Sequence, residues 1–212
     1  MMGVMRRVIE RYQSYLFYSA YFGDLGSPTG NRCIDVCCGS GYFSKVAMQN
    51  NEGLSFQNVD IVPRSSFLGV GQYFSFDVTA HESIDQHLRG ADNLFLNNSW
   101  QLFTQHEWLI KLINITGVNS IYVVMPTDEC LFELDAKGYK ENDLSSSKES
   151  LLAFMLAQNF EAVSERRFSP GHIKLRRLRY FIDLAYYLIN GKVHPVESGD
   201  GYYMAYQFRK LS

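Results

Sequence analysis

The chain has 212 residues, of which 46% are hydrophobic and 20% are charged, as in an ordinary single α/β domain. Its 20 Lys and Arg residues against 22 Asp and Glu residues give a formal net charge of −2, so overall charge does not indicate binding to nucleic acid or to an anionic membrane. No segment approaches the roughly 18 uninterrupted apolar residues of a membrane span, and the N-terminus lacks a secretory apolar core. We therefore expect one cytoplasmic domain over residues 1–212, without membrane contact.

The first predicted element is a helix from about Met5 to Tyr18, followed by a loop that completes residues 1–30. The apolar residues of this helix are spaced as one buried stripe: Met5, Val8, Ile9, Tyr12 and Leu16. The polar Ser19 on the same face marks where the stripe fades. We expect this helix, together with loops of the second half, to hold the substrate.

An apolar strand near Cys33–Val36 then runs into a glycine turn, Gly39-Ser40-Gly41, that opens a helix from about Tyr42 to Gln49. Glycine lets the backbone approach a ligand closely, and the first N–H groups of the helix are free, so the pattern is typical of a nucleotide-cofactor site. Asp35 inside the strand end indicates which cofactor. A carboxylate repels the pyrophosphate of a dinucleotide but attracts the sulfonium and ammonium of S-adenosylmethionine (SAM).

This stretch resembles the first motif of the class I SAM-dependent methyltransferases, an acid followed by G-x-G-x-G, with Asp35 as the acid and Gly39 and Gly41 as the second and third glycines. Cys37 replaces the first glycine, and its Cβ would narrow the methionine end of the pocket. The resemblance implies that these four residues contact SAM. Alternatively, a Gly-Ser-Gly turn merely joins a strand to a helix.

A second acid, Asp60, ends the next predicted strand, Phe56–Asp60. It follows the glycine turn by about 20 residues, the separation at which an acid at a strand end reaches ribose hydroxyls in a βαβ unit. We predict that Asp60, with Ile61 directly after it, binds the cofactor. The alternative is a solvated acid at a strand end.

A third strand, near Tyr73–Phe76, leads into Asp77 and Val78. In the resembled family an acid at this place accepts a hydrogen bond from the adenine amino group, and an apolar neighbour lies against the ring. The resemblance therefore assigns Asp77 and Val78 to the cofactor. Asp77 is also suited to cap a following helix, near Ala80–Arg89.

The fourth predicted strand, Leu94–Leu96, ends in Asn97-Asn98-Ser99-Trp100. Methyltransferases that act on amino or amide nitrogen often carry Asn-Pro-Pro-aromatic here, and a paired Asn-Asn before an aromatic residue resembles the non-SET histone lysine methyltransferases. The resemblance implies that Asn97 and Trp100 orient the acceptor, that Asn97 also borders the cofactor and that Asn98 contacts the substrate. Alternatively, the two asparagines are turn residues and Trp100 is an ordinary core aromatic.

The second half contains a fifth strand, a helix, a sixth strand, a longer helix and a last strand. Their predicted bounds are Ser120–Met125, Glu149–Gln158, Phe160–Phe168, Lys174–Leu188 and Tyr202–Phe208. The whole pattern predicts a three-layer αβα fold with a doubly wound, mostly parallel, seven-stranded sheet. The resemblance adds a reversed C-terminal hairpin, with the seventh strand antiparallel between the fifth and sixth. The connection over residues 169–201 is too long for a hairpin turn, so we predict a helical insertion that shapes the substrate pocket.

A run of cations without an acid begins at the end of the sixth strand and enters this insertion. It comprises Arg166, Arg167, Lys174, Arg176, Arg177 and Arg179. Several fall in the first turns of the predicted helix, where the helix dipole disfavours cations. We predict that Arg176 and Arg177 bind substrate and that the face from Arg166 to Arg179 meets an anionic partner, such as nucleic acid. The alternative is a solvated helix face.

Four cysteines, Cys33, Cys37, Cys38 and Cys130, show neither a disulfide framework nor a C-x-x-C pair. The five histidines lack metal-ligand spacing. We expect reduced thiols and no metal site.

These features favour a SAM-dependent methyltransferase whose acceptor atom is nitrogen rather than oxygen, in a small molecule, a protein or a nucleic acid. A second hypothesis is a SAM-fold partner or regulatory subunit without turnover, which Cys37 and the missing prolines after Asn97 support. An NAD-binding oxidoreductase is disfavoured by Asp35 and by Ser44 at the third glycine position. Spacing alone places no general base, although Asp128 and Glu129 follow the fifth strand.

Overall fold

The computed structural model describes residues 11–24, 28–80, 84, 87–100, 106–127, 148–168, 185–190 and 203–211. Within them the strands are β1 (Arg32–Val36), β2 (Ser55–Asp60), β3 (Gln72–Ser75), β4 (Asn93–Asn97), β5 (Ser120–Pro126), β6 (Phe160–Phe168) and β7 (Tyr203–Lys210). The helices are α1 (11–18), α2 (Tyr42–Asn50), α3 (Glu107–Thr116), α4 (Lys148–Ala157) and α5 (185–190). A π-helix, Ser19–Asp24, continues α1, and Arg64–Ser66 form a 3₁₀ turn.

The seven strands form one sheet in the order β3-β2-β1-β4-β5-β7-β6. Strands β1 to β5 pair in parallel, whereas β7 runs antiparallel between β5 and β6. The predicted doubly wound sheet and its reversed hairpin are therefore confirmed, and the predicted strand ends lie within two residues of those observed. Because β1 lies between β2 and β4, the direction of winding reverses there, which is where open α/β sheets bind ligands.

Both faces of the sheet are buried, which explains why β4 and β5 read as apolar runs rather than as an alternating pattern. On β4, Leu94 and Leu96 belong to a core with α3 and α4, while Phe95 between them belongs to a second core with α1 and α2. The second core is rich in aromatic side chains, and Phe95 stacks on Tyr122 with ring centroids 4.8 Å apart. Tyr12, from the predicted stripe of the first helix, is buried in it.

Several predictions concern residues outside the described part of the chain. These residues are 1–10, Asp128, Glu129, Cys130, Lys174, Arg176, Arg177, Arg179 and most of the predicted insertion over 169–201. Of that insertion, residues 185–190 are described and are helical. None of the described helices combines the length and the apolar character needed to cross a membrane. The described side chains also form no group of three or more that could hold a metal ion.

Candidate functional site

A cavity of about 540 Å³ lies at the carboxyl ends of β1, β2 and β4, where the winding of the sheet reverses. Its volume is within the usual range of small-molecule sites. Four predicted site residues line it, namely Asp35, Cys37, Gly39 and Asn97. The other lining residues come from α1, from the glycine turn and α2, and from the segment after β2: Gln13, Ser14, Phe17, Cys38, Ser40, Tyr42, Phe43, Val62, Ser65, Ser66 and Leu68.

Asp35 is a fully buried carboxylate in the wall of this cavity. Asn97 Nδ2 donates a hydrogen bond to Asp35 Oδ1 at 2.9 Å, whereas Asp35 Oδ2 and Asn97 Oδ1 are buried without a partner in the described structure. Burial raises the pKa of Asp35 to about 8, against the lowering effect of the Asn97 amide, and the nearby carboxylate of Asp60 raises it further. Asp35 is therefore largely protonated at neutral pH until a cation or donor reaches it.

The two glycines of the turn, Gly39 and Gly41, have different structural roles. Gly39 has a φ of 55°, and a Cβ built on it meets no atom within 4 Å, so its open side faces free space. Gly41 has a φ of 76°, and a Cβ there would collide with the ring of Phe67 and lie 2.9 Å from the Cα of Gly69. Gly39 thus leaves space at the cavity, while Gly41 lets the segment after β2 pack onto the turn.

Asp60 is held beside the same turn. Its Oδ2 accepts a hydrogen bond from the Gly39 N–H at 2.7 Å, and its Oδ1 accepts one from the Val62 N–H at 3.1 Å. A carboxylate therefore already occupies the donor that a phosphate group would need at this turn. Ile61, next to it, is 72% exposed, which is unusual for a large apolar side chain.

Asp77 and Val78 do not line the cavity. Asp77 Oδ1 accepts hydrogen bonds from the Thr79 N–H at 2.9 Å and from Thr79 Oγ1 at 2.8 Å, and the Asp77 carbonyl accepts one from the Ala80 N–H. These bonds match the alternative role of a turn or cap, and residues 84 and 87 of the predicted helix are helical. Val78 is 4% exposed and belongs to the core. Contact of Asp77 with adenine stays a prediction.

Trp100 lies in the core and not among the described lining residues of the cavity, since its side chain is 1% exposed, and its predicted contact with an acceptor stays a prediction. It stacks on His106 with ring centroids 3.8 Å apart and packs against Phe154 at 5.4 Å. Burial lowers the pKa of His106, although Glu107 opposes the shift. The alternative role of Trp100 as a core aromatic therefore holds in this structure.

Asn98 directly follows Asn97 and has an exposed side chain. Its φ of 55° is left-handed, which asparagine tolerates better than most residues. Its N–H donates to the Val124 carbonyl at 2.8 Å, so β5 holds the end of β4 in place. Its contact with substrate stays a prediction.

The basic face is only partly described. Arg166 and Arg167 lie on β6 and are half-buried, whereas Arg176 and Arg177 lie outside the described residues. Among the described lining residues of the cavity, Asp35 is the only carboxylate and there is no Lys, Arg or His. The binding of an anionic partner between Arg166 and Arg179 therefore stays a prediction.

Helix α1 contributes a wall that no sequence motif identified. Gln13 and Phe17 line the cavity and lie four residues apart, on one face of the helix. Phe17 makes edge contacts with Phe168 at 6.2 Å and Tyr203 at 6.0 Å, and these two rings stand opposite each other on β6 and β7. The sequence feature that could have indicated this wall is the position of Gln13 and Phe17 directly after the buried stripe residues Tyr12 and Leu16.

No family model and no curated protein matches the sequence. Solved structures do resemble the fold. A SAM-dependent methyltransferase from Archaeoglobus fulgidus superposes with a TM-score of 0.62 and 14% identity over 93% of this chain and 94% of that chain. The plantazolicin methyltransferase BpumL, solved with a triazolic desmethylPZN analog and S-adenosylhomocysteine (SAH), gives 0.59 and 15% over 96% and 85%. Magnesium protoporphyrin IX methyltransferase from Synechocystis PCC 6803 with bound SAH gives 0.54 and 10% over 97% and 85%.

Proposed function

We infer that this chain, which has the fold of the class I SAM-dependent methyltransferases, binds SAM in its cavity and transfers the methyl group to a nitrogen atom of an acceptor. The observation that carries this proposal is Asp35, a fully buried carboxylate in the cavity wall whose Oδ2 has no partner in the described structure. A buried polar atom without a hydrogen-bond partner is costly, whether the carboxyl group is protonated or ionised. The ammonium and sulfonium of SAM are the kind of groups that remove this cost.

The residues around the cavity suit the other parts of SAM. Asp60 would accept hydrogen bonds from the ribose hydroxyls, since its carboxylate lies at the end of β2 beside the glycine turn. The exposed Ile61 would cover one face of the adenine ring. The free space at Gly39 allows a ligand to approach the backbone of the turn. Bound SAM would supply an electrophilic methyl group.

The protein's own part in the reaction is orientation and exclusion of water, because methyl transfer from a sulfonium is an in-line displacement that needs little acid–base chemistry. Asn97 Oδ1 is a buried acceptor without a partner among the described residues and would hold an N–H group of the acceptor. Phe17 on α1 contributes an aromatic ring to the cavity wall. Trp100 has no part in this proposal, because it lies in the core.

A small acceptor without an anionic group fits the described lining best. That lining contains no cation to meet a phosphate, and its walls include the rings of Phe17, Tyr42 and Phe43. Two of the structural neighbours are methyltransferases named for plantazolicin and for magnesium protoporphyrin IX, and neither name refers to a nucleic acid. We therefore propose a small organic acceptor in preference to a nucleic acid in this cavity.

Two alternatives give different expectations. A SAM-fold partner without turnover would bind SAM but form no SAH, and Cys37 at the first glycine position and the missing prolines after Asn97 favour it. A dinucleotide oxidoreductase would bind NAD, but Asp60 occupies the Gly39 N–H and Asp35 adds a second carboxylate to the cavity.

The direct experiment measures ligands and products together. Mass spectrometry of the purified protein and calorimetry with SAM, SAH and NAD should show binding of SAM and SAH only. Incubation with methyl-labelled SAM and separate pools of small amines, proteins and RNA should then place the label in the small-molecule pool. Binding of NAD without SAM would contradict the proposal, and SAM binding without label transfer to any pool would favour the non-catalytic alternative.

Replacing Asp60 tests the ribose contact. Asp60→Ala should weaken SAM binding by roughly 1–3 kcal/mol, because charge-assisted hydrogen bonds to the ligand are lost. Asp77→Ala is the matched control, since Asp77 bonds to Thr79 at the neighbouring strand end. Calorimetry should show a much smaller loss for the control. Equal losses would instead assign Asp77 to the adenine as the resemblance implied.

Replacing Asn97 tests the orientation of the acceptor. Asn97→Ala should cut turnover by about 10²-fold, because a group that positions the nucleophile acts mainly on the transition state. SAM affinity should fall less, through the lost hydrogen bond to Asp35. Asn98→Gly in the same assay tests the predicted substrate contact of the adjacent amide separately, because glycine accepts the φ of 55° there. Turnover that follows SAM affinity alone would return Asn97 to a purely structural role.

A further inference from the structure

Two adjacent thiols line the cavity, and methyl transfer requires neither of them. Cys37 and Cys38 are half-buried lining residues. Burial raises the pKa of Cys37 to about 12 and raises that of Cys38 as well, and the carboxylates of Asp35 and Asp60 raise both further. Both thiols therefore lie near the same two acids, beside the place proposed for SAM.

The backbone at Cys37 is unusual. Its φ is 55°, a left-handed conformation that favours glycine, and glycine is the residue that the resembled motif has at this position. A side chain kept in such a conformation at a ligand site is an observation that motivates a functional hypothesis. Neighbouring hydrogen bonds hold the segment, from the Cys38 N–H to the Val59 carbonyl at 3.1 Å and from the Gly41 N–H to the Cys38 carbonyl at 2.9 Å.

We propose that Cys37 and Cys38 form a dithiol site for a trivalent organoarsenical, and that occupation of this site prevents the cofactor from binding. Both thiols line the same cavity, and Cys37 is among the groups that raise the pKa of Cys38, so the two thiols lie close enough to interact. The second half of the proposal rests on the proposed function, because it requires that the cavity be the cofactor site. Binding of the arsenical to the two thiols does not depend on the proposed function.

The chemistry balances without an oxidant. With phenylarsine oxide, two As–S bonds form, the As–O bond breaks, and the two thiol protons leave with the oxygen as water. Arsenic stays trivalent and sulfur is not oxidised. Alkylation by iodoacetamide, in contrast, needs a thiolate, and the raised pKa values of both thiols make thiolate scarce at neutral pH. The arsenical adduct forms without net release of protons, so the raised pKa values slow its formation but do not prevent it.

The experiment uses the full chain with Cys130→Ser, so that the remaining thiols are Cys33, Cys37 and Cys38. Phenylarsine oxide is added, adducts are counted by intact-mass spectrometry, and SAH binding is measured by calorimetry. The expected result is one arsenical per chain, prevented by saturating SAH and reversed by 2,3-dimercaptopropanol but not by a monothiol. The stoichiometry of SAH binding should fall in proportion to the labelled fraction.

Each variant is compared with itself before and after treatment. Cys38→Ser should lose both the adduct and the effect on SAH binding, and Cys37→Gly, whose backbone suits glycine, is the second variant if the first does not fold. Cys33→Ser should stay sensitive, because Cys33 is buried in the second core away from the cavity lining. The proposal is overturned if the treated Cys130→Ser chain keeps full SAH binding while carrying the adduct, or if no adduct forms. Absence of SAH binding before treatment would count against the proposed function, whereas an adduct that needs both Cys37 and Cys38 would still support the site.

Discussion

Asp35→Asn should lower SAM affinity by about 100-fold or more, because removing one partner of a buried ion pair typically costs about 3–5 kcal/mol. Asparagine has nearly the shape of aspartate, so the change removes the charge and leaves the cavity volume intact. The described lining of the cavity contains no protein cation that could pair with Asp35 in place of SAM, and Asn97 supplies only a neutral donor. Calorimetry with SAM measures the effect. An affinity within a few-fold of wild type would remove Asp35 from the site.

The same residue predicts a proton linkage. With a pKa of about 8 in the free protein, Asp35 is largely protonated at pH 7. A sulfonium and an ammonium beside it favour the ionised form, so binding of SAM should release up to about one proton per chain. Calorimetry at pH 7 in two buffers of different ionisation enthalpy measures this release. Asp35→Asn should abolish it, and equal release by both proteins would assign the proton to another group.

The free protein should also become less stable as the pH rises. The folded pKa of Asp35, about 8, lies above its ordinary value of 3.8, so between these values the folded state binds more protons than the unfolded state. The free energy of unfolding therefore falls with increasing pH in this window, by at most about 1.4 kcal/mol per pH unit, and levels off above it. Denaturant unfolding of wild type and Asp35→Asn without ligand should show that the variant loses this slope.

The parts of the site that could be predicted from sequence are those set by short-range geometry. Asp35, Gly39 and Asp60 belong to two strands and the turn between β1 and α2, and parallel strands bring their carboxyl ends to one edge of the sheet. A residue at the carboxyl end of one of these strands is therefore placed at that edge by its position in the sequence. The reversed hairpin of β6 and β7 came from the resemblance rather than from any local pattern.

The parts that could not be predicted depend on packing between distant segments. Trp100 follows β4 directly, but its place in the core depends on His106 before α3 and on Phe154 of α4, about which the strand-end pattern carries no information. Phe17 is similar. Helical periodicity gives the face of α1 that is buried, but not that the residues beside this face border a cavity.

The paired glycines of the turn should respond differently to the same substitution, because a Cβ collides with protein atoms at Gly41 but enters open space at Gly39. Gly41→Ala should destabilise the fold by roughly 2–5 kcal/mol, combining the cost of a left-handed alanine with that of overpacking against Phe67 and Gly69. Gly39→Ala carries the backbone cost of about 1–2 kcal/mol alone, since its Cβ meets no protein atom within 4 Å. That methyl group enters the space proposed for SAM, so Gly39→Ala should instead weaken SAM binding.

Thermal and denaturant unfolding, with calorimetry on the same samples, separate the two effects. A double-mutant cycle of Gly41→Ala with Phe67→Ala should recover part of the lost stability, because the smaller side chain removes the collision. Phe67→Ala has its own cost, as the ring stacks on Tyr73 at 4.4 Å, and the single variant measures it. If Gly39→Ala binds SAM as wild type does, the cofactor does not approach the turn at Gly39, and the glycine there serves only the conformation of the backbone.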